Sequence, residues 1–210
     1  MTTQAERATA PEVDQTVERK IQQLRELYAD APELGRVALE NGLSDLEREL
    51  AAATRADSAG RVGARQGRVS EFTLILPFAD GGAARLRGLL QLLQGNFQLA
   101  DRVGTVHDMR FVILENDTKL LFATAYDGDW DSYISDFATK IPDAMDNLFS
   151  VVEGWPGIHS ATVKDFIAKY QIPATGWYVA YPNETVASIR AAVKVRDALN
   201  VLFSAASAGL

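Results

Sequence analysis

The sequence predicts an α+β fold, a ferredoxin-like βαββαβ plait with helices added at both ends. Three observations predict it. From residue 71 onward, short runs rich in β-branched and aromatic residues alternate with stretches whose apolar residues recur at helical spacing. Two of those runs, Val106 to Leu114 and Lys119 to Tyr126, flank Asn116-Asp117 as the arms of a hairpin flank a tight turn. The order of the runs is strand, helix, strand, strand, helix, strand, followed by one more helix.

The chain before residue 71 reads differently. Residues 1–12 are small and polar and reach Pro11, the composition of a disordered tail. Residues 13–55 read as a helical arm. Val17, Ile21, Leu24 and Tyr28 form one stripe of a helix over 13–28. A second, short helix after Pro32 is expected to stop at Asn41-Gly42, because glycine tolerates the left-handed cap position. Ser44 to Glu47 has capping-box spacing and opens a third helix toward Thr54. Residues 56–69, with three glycines, three arginines and no aromatic, read as a flexible linker, which makes 70–210 the main domain.

Within that domain Glu71 to Pro77 reads as a strand, broken by Asp80-Gly-Gly before a helix carrying Leu86, Leu89, Leu90 and Leu93. After the hairpin, Trp130 to Val152 is helical with a kink or break at Pro142, and Ala161 to Lys169 is a further short helix. Gly176 to Tyr181 is the expected last strand, and Thr185 to Phe203 the closing helix, with Val186, Ile189, Val193 and Leu202 on one face.

A two-residue turn at Asn116-Asp117 pairs Ile113 with Leu120, Phe111 with Phe122, Met109 with Thr124 and His107 with Tyr126. Those eight residues share a phenylalanine face; Asp108, Arg110, Val112, Leu114, Leu121, Ala123 and Ala125 share an alanine face. Both are apolar in the middle. The small alanines leave room for closely packed helices, so the helices are expected there, and a second copy is expected to close over the phenylalanine face as a dimeric α+β barrel. A one-residue slip of register exchanges the two.

Composition narrows the function. With no cysteine there is no disulfide, no thiolate nucleophile and no cysteine-based metal site. The net charge of −7 argues against nucleic acid and anionic membranes as partners. No run approaches the roughly 18 apolar residues of a membrane span, and the first residues hold no apolar stretch of the kind found in secretion signals, so the expected location is the cytoplasm.

His107 to Arg110, the phrase LLFATAYDGDWDSYISDF, Glu153 to Pro156 and YPNETVASIR together resemble a group of bacterial proteins in the dimeric α+β barrel superfamily. Members often read HFAR where this chain has HDMR, so Asp108 and Met109 depart from the pattern. The resemblance spans about residues 70–203 and implies a homodimer or higher homo-oligomer around a cavity for a small apolar or aromatic molecule. The wider superfamily includes haem peroxidases, chlorite dismutases, haem-degrading and cofactor-free monooxygenases, polyketide cyclases and plain binding proteins.

Histidine is scarce, with only His107 and His159. On one face, His107 and Tyr126 suit a base and its orienting hydroxyl, or a haem ligand and its distal partner; the alternative is a strand-start histidine satisfied by backbone. The resemblance implies His159, in a loop before a helix, as the cofactor-binding residue if haem is bound; otherwise it is a surface histidine. Arg110, the one mid-strand charge, either pairs with Asp108 or holds a substrate anion, and joins His107 and Tyr126 as a catalytic candidate. Asp127-Gly-Asp129-Trp-Asp131 imitates the start of a calcium loop but lacks its glycine and closing glutamate, so its acids read as helix caps and no metal site is expected. Asp143 and Asp146 read as solvated. Trp177, Tyr178 and Tyr181 read as core or cavity lining. Three classes stay open: an oxidoreductase, haem-dependent or cofactor-free; a ligand-binding or assembly protein whose N-terminal helices meet a partner; and a polyketide-cyclase-like lyase.

Overall fold

The computed structural model describes residues 10–52, 56–94 and 97–208. The chain divides after Arg55 into two compact units. The first holds α1 (Ala10–Leu27) and α2 (Glu33–Ala52), which pack on each other through buried Ile21 and Leu39. Arg25 Nε and Nη2 donate to the two Glu40 oxygens at 2.9 and 3.1 Å. Of the expected tail, residues 1–9 lie outside the described residues, and 10–12 already belong to α1. The expected stop at Asn41-Gly42 does not occur. Leu39, Leu43, Leu46 and Leu50 keep one stripe across it, and the roughly 1 kcal/mol cost of an interior glycine is too small to end a nucleated helix. Ser44 is therefore mid-helix and caps nothing.

The second unit is mixed α+β. Its elements are β1 (Asp57–Ser58), β2 (Ala64–Gln66), β3 (Val69–Pro77), α3 (Gly82–Leu92), a 3₁₀ turn (Gln98–Arg102), β4 (Val106–Leu114) and β5 (Lys119–Asp127). After these come α4 (Trp130–Lys140), α5 (Pro142–Phe149), α6 (Val163–Tyr170), β6 (Gln171–Ile172) and α7 (Val186–Ala208). The sheet order is β1-β2-β3-β5-β4, every pair antiparallel, with β6 added to β3 on the edge that β2 also uses. The predicted break at Pro142 separates α4 from α5 and places the proline in the first turn of α5, where its missing N–H costs nothing.

Two expectations fail here. Residues 56–69 are not a linker: β1 and β2 join the sheet and Ala59 between them is fully buried. Residues 176–181 form no strand, and Tyr178 and Tyr181 are 85% and 70% exposed. The edge of β3 they would need is already taken by β2 and β6, so a strand there would have no hydrogen-bonding partner.

The hairpin keeps its predicted register from Ile113–Leu120 to Met109–Thr124, with Asn116 and Asp117 at φ 51° and 68° as a primed turn demands. The assignment of faces is reversed. The helices cover the phenylalanine face, where Phe72, Phe122 and Tyr126 join Ile134, Phe137, Leu148 and Phe149 in one core. Large side chains bury far more area against a helix than alanines do, and that difference decides the face. On the alanine face Val112 remains 43% exposed, and Ile75, Leu114 and Leu121 are half-buried. Glu71 is buried on that same face, and the loss of hydration pushes its carboxyl above the ordinary range despite the Ala64 amide bonded to it.

Candidate functional site

His107 and Tyr126, predicted opposite each other, are separated by a β-bulge. Val106 takes the place beside Tyr126, pairing resumes at Asp108–Ala125, and His107 is the extra residue. Its ring turns away from Tyr126 to Asp127, where Nε2 donates to Oδ1 at 2.7 Å. The other Asp127 oxygen accepts from the Val186 amide at 2.9 Å, in the first turn of α7. Thr185 and Ser188 complete that helix start with a reciprocal pair of hydrogen bonds, 2.9 and 3.1 Å. His107 and Asp127 thus fasten α7 to the end of β5.

Tyr126 lies inside the core. Its ring stacks on Tyr133 at 3.8 Å and 14° and meets Phe72 edge-on. Its hydroxyl has no hydrogen-bond partner among the described residues, and burial, reinforced by the charges of Glu71 and Asp129, pushes it far above an ordinary phenol. Tyr133 is better provided for: Thr124 donates its proton to the Asp108 carbonyl at 2.9 Å, so the 2.6 Å contact between the hydroxyls has Tyr133 as donor. Burial again sets the Tyr133 phenol well above its ordinary range. A phenol held in this way donates hydrogen bonds and resists ionisation.

Arg110 pairs with Asp108 at 2.8 Å on the exposed part of the alanine face. His159 is exposed in the loop before α6. The four sequence candidates are therefore not gathered in one place. Haem fits them poorly, because neither His107 nor His159 lines either hollow described below. Among the described residues no group of three His, Asp or Glu could hold a metal ion, and no helix is long and apolar enough to cross a membrane.

The acids of DGDWD do other work than expected. Asp129 sits at the N-cap of α4 without a side-chain cap bond and accepts instead from Arg65 at 2.9 Å, and Asp131 accepts from Lys164 at 2.8 Å. Asp146, expected to be solvated, accepts from Trp155 Nε1 and the Ile158 amide, both at 2.8 Å, and so holds Trp155 stacked on Phe149.

A hollow of about 240 Å³ lies between α3, the 3₁₀ turn, β4 and the α4–α5 corner. Leu89 and Leu93 line one side, Phe97 and Met109 another, and Met145 and Leu148 a third. Beside it a more open hollow of about 360 Å³ shares the walls Leu99, Ile141, Ala144 and Asn147 and adds Arg102, Lys140 and Asp143. Together they make an apolar chamber with a polar mouth. These residues come from segments far apart in the chain; in the sequence the leucines read only as the core face of a helix, and Arg102 carries no motif at all. No protein-family model, curated protein or solved structure matches this chain.

Proposed function

We propose that the protein binds a small apolar molecule, alkyl or aromatic, in the chamber between α3, β4 and α5, on a ferredoxin-like plait. One observation carries the reading: an apolar hollow with a few polar groups gathered at one side is the usual form of a small-molecule site. The apolar hollow by itself, at about 240 Å³, falls below the roughly 300–1,000 Å³ of drug-sized pockets, which favours a ligand whose apolar body is of modest size. The oxidoreductase and lyase readings depend on His107 acting with Tyr126, and the bulge favours binding over either chemistry. N-phenyl-1-naphthylamine, a neutral fluorescent probe, is expected to bind saturably at one site. Ala144→Trp or Leu93→Trp, each filling the chamber from its wall, should weaken that binding at least about tenfold, about 1.4 kcal/mol, with the circular dichroism unchanged. Equal affinity in both variants overturns the proposal.

A second copy of the chain is the proposed cover for the alanine face. All helices from α3 to α6 that contribute to the core lie on the other side, which leaves Val112 and its half-buried apolar neighbours facing water. Light scattering is expected to give the mass of two chains. Val112→Lys, which puts a charge at the centre of that face, should return it to one; a wild-type protein with the mass of a single chain overturns the assembly.

A further inference from the structure

We propose that the molecule held in the chamber is an amphiphilic acid, with an alkyl or aryl body inside and a single carboxylate at the mouth against Arg102. This rests on the reading of the chamber as a ligand site and adds the chemical class of the ligand. The two hollows share four wall residues and so adjoin, and the polar one is where the end of a molecule too long for the apolar one would lie. At that point it meets Arg102, whose guanidinium has no hydrogen-bond or ion-pair partner among the described residues, although its five N–H groups match a carboxylate in geometry.

The neighbours define the charge that fits. Lys140 uses two of its three donors, on the Val103 carbonyl at 2.9 Å and on Asp136 at 3.2 Å, which leaves one for a ligand and offsets most of its charge. Asp143, on the same wall, repels any anion, and a dianion about twice as strongly as a single carboxylate, so it works against the second charge most. The α5 helix begins here on Ile141, whose side chain makes no cap bond; Pro142 has no N–H and the Ile141 amide is bonded to the Phe137 carbonyl, so only the amides of Asp143 and Ala144 add partial positive charge to this wall. One uncommitted arginine, one partly committed lysine and one carboxylate suit a monoanion. They suit a phosphate dianion poorly. The flexible lining of leucines and methionines accepts an unbranched chain without a shape-specific fit.

Calorimetric titration of the full chain at pH 7 with decanoate and with decan-1-ol tests the proposal. Decanoate is expected to bind about tenfold more tightly than the alcohol, as a charge-assisted contact at a partly exposed site should allow. Arg102→Gln should remove most of that preference and leave the alcohol unchanged, and Arg102→Lys should keep part of it. Equal binding of acid and alcohol by the wild type, or a loss in Arg102→Gln shared by both, overturns the acid inference while the chamber stands as an apolar site. If neither compound binds, the reading of the chamber itself fails.

Discussion

Phe72→Ala is expected to lower the unfolding free energy by about 3–5 kcal/mol, the cost of a large aromatic deleted from a close-packed core. Phe72 lies on β3 between β2 and β5 and is 2% exposed. Its ring touches four others, with centroids 5.8 Å from Phe122, 5.9 Å from Tyr126, 6.4 Å from Trp130 and 6.0 Å from Tyr133. Three of those contacts are edge-on, the orientation that adds attraction beyond simple burial. The ring also walls a void of about 20 Å³, so its removal would enlarge a space that already exists rather than one that neighbours could close. That places the loss toward the upper part of the range. Urea denaturation with an unchanged slope measures it; a loss under about 1 kcal/mol would mean that the aromatic cluster is not the keystone of the core.

Gly63→Ala should cost roughly 2–5 kcal/mol for a different reason. Gly63 has φ +86°, a conformation worth about 1–2 kcal/mol against any residue with a Cβ. A Cβ there would also stand 2.1 Å from the Glu71 carbonyl oxygen, a backbone atom that can retreat only if β2 and β3 separate. Such overpacking adds about 1–3 kcal/mol. Gly128→Ala separates the two causes, because Gly128 has φ +83° but open space around its missing Cβ. It is expected to show the conformational cost alone, about 1–2 kcal/mol. Thermal or urea unfolding of the two variants side by side checks the difference, and equal losses would show that the close approach of β2 to β3 is not a constraint.

The hairpin shows how far a local reading reaches. The turn at Asn116-Asp117 and the alternation of side chains are both properties of neighbouring residues, so the register from Ile113 down to Met109 was legible. The bulge at His107 was not, because the histidine turns toward Asp127, which is itself held by the first turn of α7, almost sixty residues further on. The pairing of Asp108 with Arg110 was legible for the same local reason that the turn was: the two residues share a face at a spacing of two. The chamber was not legible at all. Its walls join α3, the 3₁₀ turn, β4 and α5, and nothing in Leu89 or Met109 alone distinguishes a wall from a core.

The same division holds for the whole chain. By itself the sequence determined the mixed α+β character of the second unit, the break at Pro142, the turn and the pairing of the hairpin from Ile113–Leu120 down to Met109–Thr124, because these follow from backbone preference and side-chain period over a few positions. Only the tertiary structure decided that α2 continues through Gly42, that the helices choose the phenylalanine face, and that β2 and β6 occupy the edge that residues 176–181 would have taken. Each of those outcomes is a competition between distant segments for one surface or one row of hydrogen bonds. The winner is set by total buried area and by which partner is already in place, quantities that no short stretch of residues contains.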